Sequence, residues 1–331
     1  MSDSARSQLV FVHGIGGVRD AVQERREWLE ALAEGARKAG HANSVSGLTQ
    51  GWLAEARFAD YSDLFVVRGT QGSDTGGHDD EQVAFLDALV RDVIDELGLQ
   101  AQEQGDQRAL KAIETARDQL PDGDGDGDGD GDGEWQGVGE PVRVLGRVLT
   151  TLLQVPGLRR AAQWASGRTL LGQLAQVGRY LDRGGADESG RPLDVRIRER
   201  VLHGVDPERS LVVVAHSLGS VVAFEALHDY AGSVQLLVTL GSPLATGAAV
   251  LQRVRPQPAR TPEPVGRWLN FWDRDDIVVA RPRVQQWMLP SFSGVVPVTD
   301  RVDSDGVWVH TATKYLRQPA VAGPIVEALK Q

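Results

Sequence analysis

Apolar positions along this chain follow two alternating patterns. Leu9 to Val12 is a short, wholly apolar and partly β-branched run ending at His13-Gly14, as a strand buried on both faces of a parallel sheet requires. Beyond the glycine turn, Trp28, Leu29, Leu32 and Ala36 recur at helical spacing, with Asp20 and Gln23 as a start signal and Gly40 as a stop. Ala56 to Ala59 reads as a second short strand, and the polar, Gly-rich stretch from Arg68 to Asp80 as a long loop. From Glu81 to Leu97, Leu86, Leu89, Val90, Val93, Ile94 and Leu97 share one helical face and Asp87, Arg91, Asp92 and Asp95 the other. That spacing predicts an amphipathic helix packed on the sheet. The last third returns to the first pattern: a strand from Leu211 to Ala215, a helix from Leu218 to Tyr230, then strands from Leu236 to Leu240 and Trp268 to Trp272. The alternation predicts an α/β fold with a mostly parallel central sheet flanked by helices, and functional groups at the carboxyl ends of the strands.

Two segments interrupt it. Pro121 to Gly133 alternates Asp and Gly, which leaves no side chain to bury and maximal backbone entropy to lose, so a disordered linker is expected. An EF-hand calcium loop opens in the same way but needs Glu at its twelfth position. Starting at Asp122 puts Gly133 there, and starting at Asp124 puts Trp135 there. Pro141 to Arg183 is helical and apolar, punctuated by Arg143, Arg147, Arg159, Arg160, Arg168 and Arg179 with no acid before Asp182. A helical cap whose Arg stems cover apolar surface is the favoured reading; a basic amphipathic surface for a membrane or protein partner is the other.

Composition narrows the function classes. A formal net charge of −11 argues against a general nucleic-acid binder. The chain has no cysteine, which removes thiolate chemistry and disulfides and fits a reducing compartment. The apolar run near the N-terminus is far shorter than a signal-peptide core or a membrane span. A cytoplasmic protein is expected.

The segment Leu211-Val212-Val213-Val214-Ala215-His216-Ser217-Leu218-Gly219-Ser220 carries the chemistry. It runs from apolar strand through small-x-Ser-x-Gly into helix, and a strand-to-helix turn that tight tolerates only small neighbours such as Ala215 and Gly219. Early in the chain, Leu9-Val10-Phe11-Val12-His13-Gly14-Ile15-Gly16-Gly17 places a His-Gly loop after a strand. As a dinucleotide fingerprint that loop fails, because Arg19 stands where the third glycine belongs.

In these two segments the chain resembles the α/β-hydrolase superfamily, with Ala215 in place of the usual first glycine of the elbow. The turn Gly241-Ser242-Pro243 is similar to that of lipase-like and GPI inositol-deacylase-like members. The resemblance implies Ser217 as nucleophile, with Ile15 and Leu218 supplying the oxyanion N–H groups and His13, Gly14, Gly16, His216 and Gly219 as supporting loop residues. It also implies the chain order Ser, acid, His. Asp276 matches the acid in Trp272-Asp273-Arg274-Asp275-Asp276-Ile277-Val278, with Asp273 and Asp275 as fallbacks. His310 is the base, since His13 and His216 belong to the loops, His228 lies in the helix after the nucleophile, and His41, His78 and His203 precede Ser217. Ser242 is a poor rival nucleophile, because Pro243 has no N–H for an oxyanion.

The implied domain plan is one α/β-hydrolase domain spanning 1–331, with a core of 8–100 and 193–330. An insertion at about 101–192 holds the linker 121–133 and cap helices 141–183. The implied function is a serine hydrolase cleaving a carboxylic ester, lipid or other, through an acyl-enzyme, with no metal or cofactor. The alternatives are an acyltransferase using the same triad and a catalytically idle binding or regulatory protein on the same fold.

Overall fold

The computed structural model describes residues 6–14, 16–66, 80–120, 140–152, 167–273, 276, 278–279, 281–304 and 310–331. Six parallel strands form one sheet: β1 (Ser7–Val12), β2 (Ala54–Ala59), β3 (Leu211–His216), β4 (Val234–Leu240), β5 (Trp268–Asp273) and β6 (Pro297–Val302), in the order β2-β1-β3-β4-β5-β6. The chain starts at β1, steps outward to β2, then crosses to the other side of β1 and proceeds strand by strand to β6. The reversal of direction lies between β1 and β3, where Val12 pairs with Ala215, and in open α/β sheets such a switch point opens a crevice at the strand ends.

The unbroken apolar runs of β1 and β3 are explained by cover on both faces. Leu9, Phe11, Val212 and Val214 pack with α1 (Ala21–Lys38), α9 (Ala312–Leu316) and α10 (Pro319–Leu329). Val10, Val12, Val213 and Ala215 face the opposite layer, which includes α7 (Leu193–Leu202) and α8 (Leu218–His228). Helix α8 is buried from Leu218 to Leu227, so it is largely apolar all round rather than amphipathic. It ends at His228, two residues before the expected stop at Tyr230.

Helix α1 begins as its sequence predicts, with the Asp20 carboxylate accepting from the N–H groups of Val22 and Gln23. The Gln23 side chain does not return to the cap; it donates to Glu27. A short helix α2 (Val45–Thr49) leads into β2.

The second helical group is α3 (Asp80–Gln104), α4 (Gln107–Asp118), α5 (Glu140–Leu152) and α6 (Gly167–Leu181). The apolar face of α3 meets α4, α5, α6 and the turn at Gly247–Leu251, whereas the sequence pattern suggested direct packing on the sheet. Its stripe finds partners in other amphipathic helices, so these four pack into one layer on the α8 side. The expected loop from 68 to 80 lies outside the described residues apart from Asp80, which begins α3, and the expected linker 121–133 lies outside them entirely. A buried ionic cluster ties this group to α7 and α8: Arg183, just after α6, reaches Glu225 of α8 at 2.6 Å and Asp194 of α7 at 2.8 Å. Arg198 contacts the same two acids, and Tyr180 donates to Glu225 at 2.7 Å.

Candidate active site

Ser217 sits between the end of β3 and the start of α8, with φ of 54° and ψ of −129°. That strained backbone turns the chain within one residue from strand to helix, as a nucleophile elbow does. Its neighbours are crowded. A side chain on Gly219 would fall on the carbonyl oxygens of Val12 and His13, and a Cβ on Gly14 would lie 2.5 Å from that of Ser217. The small residues therefore let β1, its loop and the elbow meet at the switch point. The Ser217 N–H donates to Leu240 O at 3.0 Å, and Ser220 binds both the Ser217 carbonyl (2.6 Å) and the Ser242 hydroxyl (2.7 Å). Ser242, which also accepts from Leu244 N–H, is a buried support of the elbow.

Asp276 and His310 are brought together. His310 Nδ1 donates to Asp276 Oδ2 at 2.8 Å, and Asp276 Oδ1 accepts from Val278 N–H at 3.1 Å. A proton on Nδ1 leaves Nε2 as the bare nitrogen of a neutral imidazole. Gly241, at φ +54°, makes room for the pair: a Cβ there would lie 2.7 Å from Asp276 Oδ2 and 3.2 Å from His310 Nδ1. Gly241 directly follows Leu240, whose carbonyl holds Ser217, so elbow and pair share one strand end. Ser217 Oγ and His310 Nε2 are both buried without a hydrogen-bond partner; the bond between them is not formed. Catalytic hydrogen bonds are often loose before substrate binds.

Of the fallback acids, Asp273 is engaged elsewhere, accepting from Ser304 N–H at 2.6 Å and its hydroxyl at 2.5 Å; Asp275 lies outside the described residues. The ring of His216 lies 4.6 Å from that of His310. Burial, then the nearby His310, Arg19 and His13, push its pKa well below the ordinary 6.5, so His216 is a neutral wall.

The His-Gly loop is fixed from both sides. The His13 ring stacks on Tyr61 at 4.0 Å and Phe58 at 5.5 Å. Its Nδ1 donates to Gly14 O at 2.6 Å, its Nε2 accepts from Tyr61 N–H, and the Tyr61 hydroxyl donates to the His13 carbonyl. On the other side Gln176 of α6 grips Gly16 twice, accepting from its N–H at 3.0 Å and donating to its carbonyl at 3.1 Å. Ile15, the expected oxyanion donor between them, lies outside the described residues. The second expected donor, Leu218 N–H, is the first of α8 and so has no intrahelical acceptor.

Sequence reasoning missed Gln176 and Tyr61, which meet the loop from 160 and 48 residues away, and Tyr315, whose hydroxyl donates to Asp276 Oδ2 at 2.7 Å. Tyr315 follows His310 by five positions, between Lys314 and Leu316 in a largely polar stretch, and carried no pattern signal. Among the described residues no group of three or more His, Asp or Glu is placed to hold a metal ion, and no helix is long and apolar enough to cross a membrane. Comparison with protein-family models, with curated proteins and with solved structures finds no match.

Proposed function

We propose that the protein is a serine hydrolase of the α/β-hydrolase fold that cleaves a carboxylic ester. The observation that carries this reading is the strained Ser217 at the end of β3 beside His310, whose Nδ1 binds the buried Asp276 and whose buried Nε2 is bare. A serine hydroxyl at neutral pH needs such a base, held in one tautomer by an acid.

In the reaction, His310 Nε2 takes the Ser217 proton as Oγ attacks the ester carbonyl, and Asp276 stabilises the imidazolium that forms. The N–H groups of Leu218 and Ile15 receive the oxyanion. Collapse expels the alcohol, which takes its proton from His310 and leaves an acyl-Ser217. Water, deprotonated by His310, then attacks the acyl carbon and restores the serine. An alcohol in place of water would make the same triad an acyltransferase. The helical layer α3–α6 borders this site through Gln176 and is the element we assign to substrate selection, with 141–183 as the surface for any membrane or protein contact. The lack of cysteine supports a cytoplasmic location.

Hydrolysis of aryl esters of increasing acyl length tests the reading. Ser217→Ala and His310→Ala are expected to lower kcat by at least about 10⁴-fold and Asp276→Asn by about 10³–10⁴-fold. Full turnover by folded Ser217→Ala would refute it.

A further inference from the structure

Asp276 has a fully buried side chain, and among the described residues its side-chain partners are neutral donors or the imidazole: His310 and Tyr315 on Oδ2, Val278 N–H on Oδ1. Oδ2 accepts two hydrogen bonds at once, at 2.8 Å from His310 Nδ1 and 2.7 Å from the Tyr315 hydroxyl, so the two donors share its charge. Tyr315 is itself closely held. It is fully buried, it accepts from Asp273 N–H at 3.1 Å, and its ring lies 6.3 Å from that of His216. Burial and the Asp276 carboxylate raise its pKa well above 10.0, so the hydroxyl keeps its proton and remains a donor.

We propose that Tyr315 is a positioning residue of the Asp276–His310 pair: its hydroxyl withdraws negative charge from the oxygen that faces the imidazole, and so limits how readily His310 is protonated. The inference rests on the reading of Ser217 as an activated nucleophile. A carboxylate oxygen that meets no donor other than the imidazole concentrates its charge there and favours the imidazolium over the free base that must accept the Ser217 proton. A neutral donor on Oδ2 lowers that attraction without adding a cation. Among the described residues, the other ionisable groups around the pair are Asp273, whose carboxylate is occupied by Ser304, the neutral His216 against the His310 ring, and, acting on His216 from the loop side, Arg19 and His13. Tyr315 is the side chain among these that binds the carboxylate itself.

The test is the rate of Ser217 modification by a fluorophosphonate from roughly pH 5 to pH 9, a reaction that needs free imidazole and no knowledge of the substrate. In Tyr315→Phe the acid limb of the profile moves to higher pH by about 0.5–1 unit, while the rate on the alkaline plateau stays within about threefold. Replacement of Tyr315 by 3-fluorotyrosine keeps the shape and the Asp273 contact but strengthens the donor, and the limb moves to lower pH. This second substitution keeps the role testable if Tyr315→Phe folds poorly. A limb that stays in place in both proteins overturns the role of Tyr315 alone. A folded wild type that takes no label at any pH overturns the nucleophile and this inference with it.

Discussion

At Ser217 a residue with a Cβ holds a backbone that glycine adopts far more readily, at a cost of order 1–3 kcal/mol. The surroundings enforce it: Leu240 O on its N–H, Ser220 on its carbonyl, and Gly14 and Gly219 without side chains where the chains touch. The neighbouring His216 carries a different cost. Its pKa lies well below 6.5 in the folded protein and near 6.5 once unfolded. Below that value the unfolded chain binds a proton that the folded one excludes, so stability is intact above about pH 6.5 and falls as the pH drops, by at most about 1.4 kcal/mol per unit. The urea midpoint of the wild type is expected to decline between about pH 7.5 and 5.5, and His216→Asn to flatten that decline. Equal acid sensitivity in the two proteins would contradict the neutral, buried His216.

Among the elements, the loop after β1 is held by the end of β2 on one side and by helix α6 on the other. Its start is fixed by His13 between Phe58 and Tyr61, and its middle by Gln176 of α6 at Gly16. Helix α6 thereby sets the backbone next to Ile15. Gln176→Ala is expected to slow fluorophosphonate labelling by about 10–10²-fold with little change in the urea midpoint, the cost of a loosened oxyanion donor. An unchanged labelling rate would show that the loop holds its shape without α6. The elements also show where sequence patterns suffice. Strands β1 and β3 were legible because burial on both faces makes them continuously apolar. Edge strand β6 was not: Val298, Asp300 and Arg301 are exposed, and its Pro297–Val302 sequence carries no apolar run. Helix α3 was legible as amphipathic, but periodicity says which face is buried and not what buries it. The juxtaposition of Asp276 with His310 was expected through the resemblance, which supplies the order Ser, acid, His, whereas Gln176 and Tyr315 act through contacts that no local spacing encodes.

In the molecule as a whole, one sheet carries two helical layers, and the site lies where strand order reverses between β1 and β3. The layer of α3 to α6 is joined to the sheet side by the Arg183, Arg198, Asp194, Glu225 and Tyr180 cluster, centred on Glu225 within α8. Replacing one partner of a buried pair leaves the others uncompensated, so Glu225→Gln is expected to destabilise by about 3–5 kcal/mol in urea unfolding. A loss below about 1 kcal/mol would mean that the cluster behaves as a surface ion pair. On the proposed function, sheet and helical layers together serve to activate one serine. This is tested most directly by exposing the folded protein to a fluorophosphonate and locating the adduct by mass spectrometry. The account predicts a single adduct on Ser217 that is absent from Ser217→Ala and strongly reduced in His310→Ala. Label on another residue, or none on the folded wild type, would contradict it.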